Sequence, residues 1–202
     1  MINPLKYYQE YLEIYQSEAK RLYRKMTVFS AYRLAIFLIT IFGIYNTFQQ
    51  WQIALLIGAA GVIVFLFLLA KYSDIKRLRD FNKALVDINT DEIKIASDNF
   101  HDRDAGLQFQ EPHHFYSLDI DLFGPRSFFQ FINRSIINEG AEKLAGFLKA
   151  NNTEYIVLRQ EAIKELSEKS QWRQFYSATS SLVEVETPAK QIINWLQNHR
   201  SF

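Results

Sequence analysis

Trp51-Gln-Ile-Ala-Leu-Leu-Ile-Gly-Ala-Ala-Gly-Val-Ile-Val-Phe-Leu-Phe-Leu-Leu-Ala70 is a run of 20 residues without a charge. As a helix rising 1.5 Å per residue it spans a hydrocarbon core of about 30 Å. The alternative is a buried helix of a soluble protein, but such helices seldom run so long with so few polar groups. A second apolar run, residues 27–48, precedes it. That run carries Arg33, a residue that would cost about 2.5–3.5 kcal/mol at the centre of a bilayer. Arg33 lies near the start of its span, so its stem can carry the charge toward the headgroups. The connector Asn46-Thr-Phe-Gln-Gln-Trp-Gln52 is uncharged and too short for anything but a tight hairpin.

Charge outside the two runs sets their orientation. Lys20, Arg21, Arg24 and Lys25 precede the first, and Lys71, Lys76, Arg77, Arg79 and Lys83 follow the second. The positive-inside rule then places both termini in the cytoplasm; the expected location is a bacterial cytoplasmic (inner) membrane. The first run starts too far into the chain for a signal peptide, and no small-residue cleavage pattern separates it from the second. Gly43 and Gly58-Ala-Ala-Gly61 read as packing positions. Ala54-x-x-x-Gly58 has the small-x-x-x-small spacing, and Gly43 is expected to face the Gly58 region. The other reading is that these glycines merely populate membrane helices.

Before the membrane, Leu5, Tyr8, Leu12, Tyr15, Ala19, Leu22 and Met26 are spaced 3-4-3-4-3-4, a coiled-coil seam. After it, Ile75, Leu78, Asn82, Leu85 and Ile88 are expected to form the matching seam, with Asn82 fixing register. Each membrane helix would thus continue as one arm of an antiparallel stalk, Tyr15 opposite Leu85 and Leu22 opposite Leu78. An amphipathic helix lying on the membrane surface is the alternative.

Asp98, Asn99, Asp102, Asp104, Gly106 and Pro112 then break the pattern. Further helices are expected: one opened by Gly124-Pro125 and ending near Ser135, one over 139–150, one capped by Thr153, one over 172–182, and one begun by Thr187-Pro188. No sustained period-2 alternation appears. The fold class is therefore all-α: a two-helix transmembrane hairpin with an antiparallel helical stalk, followed by a helical region. The segments are 1–27, a juxtamembrane amphipathic helix; 28–71, the hairpin; 72–96, the stalk helix; 97–118, a linker; and 119–202, the helical region.

The stretch Tyr116-Ser-Leu-Asp-Ile-Asp-Leu-Phe-Gly-Pro-Arg-Ser-Phe-Phe-Gln-Phe-Ile-Asn-Arg-Ser135, with Gly140 and Leu144-Ala145 after it, resembles the start of the core domain of the MutS mismatch-repair ATPase family. That family writes an acidic-apolar DLDLFG run, a SLFQ-LNRT helix, and a glycine before the next helix. Arg159-Gln-Glu-Ala-Ile-Lys-Glu-Leu166 resembles the helix that follows in the same order. The matching residues are Asp119, Asp121, Phe123, Gly124, Ser127, Gln130, Asn133, Arg134, Gly140, Arg159 and Gln160. The resemblance implies a MutS-core-like helical segment, incomplete in this chain. It also implies ATP and Mg for the family's ATPase domain, DNA as a partner of the full-length protein, and a homodimer. Ser135 and Ile137 depart from the family's threonines, and Ala141-Glu142 replaces its basic pair. From the residues alone, Asn133 and Arg134 read as a helix C-terminus, with Arg at the negative end of the dipole.

Other chemistry is thin. None of the seven glycines is followed by Lys, so the G-x-x-x-x-G-K-[ST] phosphate cradle is missing and no cofactor is expected in this chain. There is no cysteine, which excludes disulfides, thiolate zinc sites and cysteine nucleophiles. With 23 basic and 22 acidic residues, charge offers no footprint for a phosphate backbone. Phe109-Gln-Glu111 spells the family's mismatch-reading tripeptide but lies in a loop before the core. Glu111 beside His113-His114 invites a metal reading with no third ligand pattern. The expected function is the membrane anchor and partial core of a MutS-like protein, in contact with the lipid bilayer. The competing expectation is a small membrane-anchored helical scaffold or adaptor with no nucleotide or DNA ligand.

Overall fold

The computed structural model describes residues 3–150, 153–183 and 189–198, with no strand among them. The helices are α1 (Pro4–Asn46), α2 (Trp51–Ala96), α3 (Phe128–Ile132), α4 (Asn138–Lys149), α5 (Ile156–Glu168), α6 (Ser170–Ser181) and α7 (Ala189–Asn198). The fold is all-α, and α1 and α2 pack along each other as an antiparallel hairpin.

Local chemistry sets the ends of α1. The Asn3 side chain accepts the Leu5 N–H at 3.0 Å, and Pro4 takes a first-turn position where its missing N–H costs nothing. At the far end the Thr47 N–H and hydroxyl both donate to the Gly43 carbonyl, at 3.1 and 2.8 Å. Gln50 N–H then closes the turn on Thr47 O at 2.8 Å. With 43 and 46 residues, α1 and α2 are each about 65–70 Å long, more than twice a hydrocarbon core. Each is long and apolar enough to cross a membrane, and the protein buries neither apolar stretch.

One seam runs the length of α1. The expected positions Leu5 to Met26 are all withdrawn from solvent, and the same 3-4 spacing continues through Phe29, Arg33, Ile36, Thr40, Gly43 and Thr47. The facing row on α2 is Gly61, Phe65, Leu68, Tyr72, Ile75, Arg79, Asn82, Val86 and Asn89. A 3.5-residue repeat sustained this long implies a left-handed supercoil. Small residues set the helix spacing. A Cβ at Gly61 would stand 2.3 Å from Thr40 Oγ1, so only glycine fits there. Gly43 meets Ile57, and Gly58 meets Ile44.

The α2 seam differs from the expected one, with Arg79, Val86 and Asn89 in the facing row in place of Leu78, Leu85 and Ile88, and Leu78 is 56% exposed while Leu22 is buried. The cause is that α2 packs on two sides. Leu85 lies with Tyr15 as expected, but the cluster also contains Ala178 of α6, with Phe81, Ala84 and Ile88 around it. Phe81 meets Phe175 edge-on at 5.6 Å. The apolar stripe of α2 is thus two stripes side by side, and counting from Ile75 through Leu78 crosses from one to the other. Asn82 donates to the Leu78 carbonyl of its own helix at 2.8 Å, so it does not reach across the seam.

The second core gathers Leu122, Phe123, Phe129, Ala141 and Ala145, with Phe109, Tyr116, Leu144 and Leu148 against it. Here helix boundaries shift from expectation. Gly124 (φ 113°) and Arg126 (φ 64°) hold non-helical backbone, so α3 begins at Phe128 with Ser127 as its cap. It ends at Ile132, since Asn133 is extended, and not at Ser135. Before α5 the cap position is Tyr155, left-handed at φ 59°, and Thr153 contributes only a carbonyl to Ile156 N–H. The fourth helix opens at Ser170 rather than Trp172. Thr187-Pro188 lies outside the described residues.

Candidate functional site

The family-like residues converge where the helical region meets the stalk. Ser127 Oγ accepts the Gln130 N–H at 3.2 Å and starts α3. That turn points Gln130 inward, where it is fully buried. Its Nε2 donates to Arg103 O at 2.6 Å and His101 O at 3.2 Å, and its Oε1 accepts the Arg126 N–H at 2.7 Å. One amide thus binds the 97–118 segment to the head of α3, with both ends satisfied.

At the other end of α3, Arg103 donates to Asn133 O at 2.6 Å and to Asp91 of α2 at 3.2 Å. Asn133 Oδ1 accepts the Ser135 N–H at 2.9 Å. Arg134 forks onto Glu92 of α2, Nε at 2.7 Å and Nη2 at 3.3 Å, while Nη1 donates to Phe131 O at 2.5 Å. The Arg134 charge therefore caps the C-terminus of α3, as the sequence reading had it, and ties that end to the stalk. Lys94 adds a hydrogen-bonded pair with Asp102 at 2.8 Å, which holds the Asp102 carboxyl below the usual range.

Phe123 packs between Phe109 and Phe129, and Gly124 N–H donates to Ala105 O at 2.7 Å. Phe123, Gly124, Ser127, Gln130, Asn133 and Arg134 therefore form one joint, and Gly140 abuts it through Ser135. Asp119 and Asp121 are exposed on the run before it. Arg159 and Gln160 lie away from it on α5, Arg159 over the Phe147 ring at 5.1 Å.

Sequence reasoning missed the stalk's half of this joint. Asn89 and Gln174 are both buried and exchange amide hydrogen bonds, Gln174 Nε2 to Asn89 Oδ1 at 3.0 Å and the reverse at 3.4 Å. Asn89 Nδ2 also reaches Leu85 O at 2.7 Å. The available signal was heptad spacing, since Asn89 follows Asn82 by seven residues.

A cleft of about 430 Å³ opens beside the joint, lined by Tyr8, Glu92, Arg134, Trp172, Arg173 and Gln174 among others. Its size suits a small ligand or a few side chains. Its polar groups are already engaged with one another. Arg134 is on Glu92, Gln174 on Asn89 and Arg173 on Ser170, while burial pushes the Tyr8 phenol up.

The Glu111-His113-His114 motif is a clasp. His114 Nε2 meets Lys149 O at 3.0 Å, its Nδ1 accepts the Ser117 N–H at 3.2 Å, and Glu111 pairs with Lys149. The Lys149 hydrogen bond holds the Glu111 carboxyl below its ordinary range. Among the described residues no group of three His, Cys, Asp or Glu could hold a metal ion. This chemistry fixes positions; it brings no nucleophile and base together among the residues of the joint. No protein-family profile, curated protein or solved structure matches the chain.

Proposed function

We propose that this chain anchors a helical module to a bilayer and holds it in a fixed attitude, as the membrane-bound beginning of a MutS-like protein. The observation that carries the reading is the continuity of α1 and α2. Each leaves its apolar stretch unburied within the protein and runs on, unbroken, into the stalk that the joint grips. The motif residues Gln130, Asn133 and Arg134 then serve to mount the core segment on its anchor. In such a protein ATP and Mg would be handled by a P-loop domain that this sequence does not contain, and DNA contact and dimerisation would belong to the full-length protein. The basic flanks favour an orientation with the module and both termini on the cytoplasmic side, in an inner membrane on this reading.

A second reading, a membrane-anchored adaptor, is favoured by α5, none of whose residues is buried and whose Ile156, Val157, Leu158 and Ile163 are exposed. Two measurements test the proposal. The expressed chain should stay with membranes through a carbonate wash, because apolar helices in lipid are not held by charge. A cysteine at Gln49 should be labelled from the periplasm and one at Lys83 only after lysis. Release by carbonate defeats the anchor, and reversed labelling defeats the orientation. Tight ATP or mismatch-selective DNA binding by the chain alone would show that it does more than mount a core.

A further inference from the structure

Between Val28 and Ala70 the sequence holds a single charged residue, Arg33. It does not face outward from the hairpin. It occupies a seam position of α1 and is half-buried. Its guanidinium carbon lies 5.2 Å from the ring centroids of both Phe65 and Tyr72 on α2. Its Nε is buried and makes no hydrogen bond. Among the described residues no carboxylate pairs with it. Two aromatic faces attract a cation but accept none of the in-plane hydrogen bonds that the five guanidinium N–H groups direct outward. A guanidinium set against two rings, with no carboxylate beside it among the described residues, is matched by a planar or tetrahedral oxyanion.

The depth of the fork identifies the oxyanion. From the hairpin turn at Thr47 to Arg33 is about 21 Å of helix. The guanidinium is equally far from the Phe65 and Tyr72 rings, whose residues lie about 21 and 31 Å along α2 from Trp51, so it sits about 26 Å from the turn. With the turn at one face of a core of about 30 Å, the guanidinium sits less than one helical turn inside the opposite hydrocarbon edge, where local thinning of the bilayer brings a phosphodiester within reach. Lys71, its Nζ 5.9 Å from the Phe67 ring, stands beside Tyr72 at the same level.

Resting on the anchor reading above, we propose that Arg33, framed by Phe65 and Tyr72, holds the phosphate of one anionic phospholipid in the leaflet on the module's side. Lys71 supplies the second positive charge that favours an anionic over a zwitterionic headgroup. The lipid thereby becomes part of the hairpin interface rather than a member of the solvating annulus.

The test uses the full chain in nanodiscs of equal phosphatidylcholine and phosphatidylglycerol, with retained lipid counted by native mass spectrometry after stepwise delipidation. Wild type should keep one phosphatidylglycerol, and Arg33→Gln should lower that retention about fivefold, the ratio expected for one basic residue at an anionic surface. Arg33→Lys should fall between, since an ammonium cannot fork. Equal retention by wild type and Arg33→Gln would overturn the proposal. So would equal retention of the two lipids by wild type, which would leave Arg33 for a carboxylate of a partner helix. An equal loss in Lys71→Gln would reduce the site to diffuse surface charge, and displacement of the lipid by millimolar inorganic phosphate would make it a free-phosphate site. A carbonate wash run on the same proteins separates the two ideas. Retention of both with unequal lipid supports the site, whereas release of wild type would sink the anchor and the lipid site with it.

Discussion

Gln130 shows how a motif letter acquires a physical meaning. Its side chain answers two carbonyls and one N–H in a dry site. Gln130→Leu would keep the volume and strand all three groups, which costs about 1–3 kcal/mol for a buried unsatisfied polar group. The variant should melt earlier in detergent by circular dichroism, and an unchanged melting temperature would mean the 97–118 segment is not held by this amide. Asn89 and Gln174 allow a sharper version. Asn89→Leu alone should destabilise by a similar amount, about 1–3 kcal/mol, because Gln174 is left buried without its partner. Asn89→Leu with Gln174→Leu removes both polar ends and should recover most of the loss. A double variant as unstable as the single would show that the pair's packing, rather than its hydrogen bonding, matters.

At the scale of elements, the stalk was legible because one arm follows a strict repeat. Tyr15 and Leu85 meet as the spacing required, so Tyr15→Cys with Leu85→Cys should form a disulfide under mild oxidation, facing core positions placing Cβ atoms within about 4.5 Å. Leu22→Cys with Leu78→Cys should crosslink poorly, since Leu78 points to solvent; efficient crosslinking of that pair would restore the simpler seam. The second arm misled because a helix gripped on two sides carries two adjacent stripes, and hydrophobicity alone does not say which partner each residue meets. The short helices were located but misbounded for a related reason. Pro125 looked like a helix start, yet Gly124 and Arg126 hold backbone that no α-helix contains. The stalk's outer end also carries a titratable ladder. Tyr7, Tyr8, Tyr11 and Tyr15 contact ring to ring, and burial followed by the neighbouring Tyr11 phenol pushes Tyr7 up to about 12. A phenol harder to ionise folded than unfolded contributes stability that is complete below about pH 10 and lost as pH climbs through 12. Helicity should therefore fall across that window, and Tyr7→Phe should flatten the fall. A wild-type profile level to pH 12 would place the ladder in solvent.

For the whole molecule, the question is whether the module rides on its anchor as one body. The hairpin alone does not require it, since a flexible 97–118 segment would let the module swing. The joint opposes this from both sides: Arg134 on Glu92, Arg103 bridging Asp91 and Asn133, and the Asn89–Gln174 pair at the α6 contact. The residues that do this are a mixture. Asn133 and Arg134 stood out in the sequence as a motif, while Glu92, Arg103 and Asn89 did not, because partners 42, 30 and 85 residues away leave no local pattern. Trypsin reports on the outcome at Arg103, whose side chain is largely enclosed by these contacts. Wild-type protein in membranes should be cut slowly there. Arg134→Ala combined with Asn89→Ala removes two neighbouring ties to α2 and should expose Arg103 to rapid cleavage through local opening. The N-terminal fragment should remain with the membrane, because the hairpin is untouched. Equal cleavage of both proteins at Arg103 would mean that the segment is already free, and the module would then be tethered to the membrane without being aimed by it.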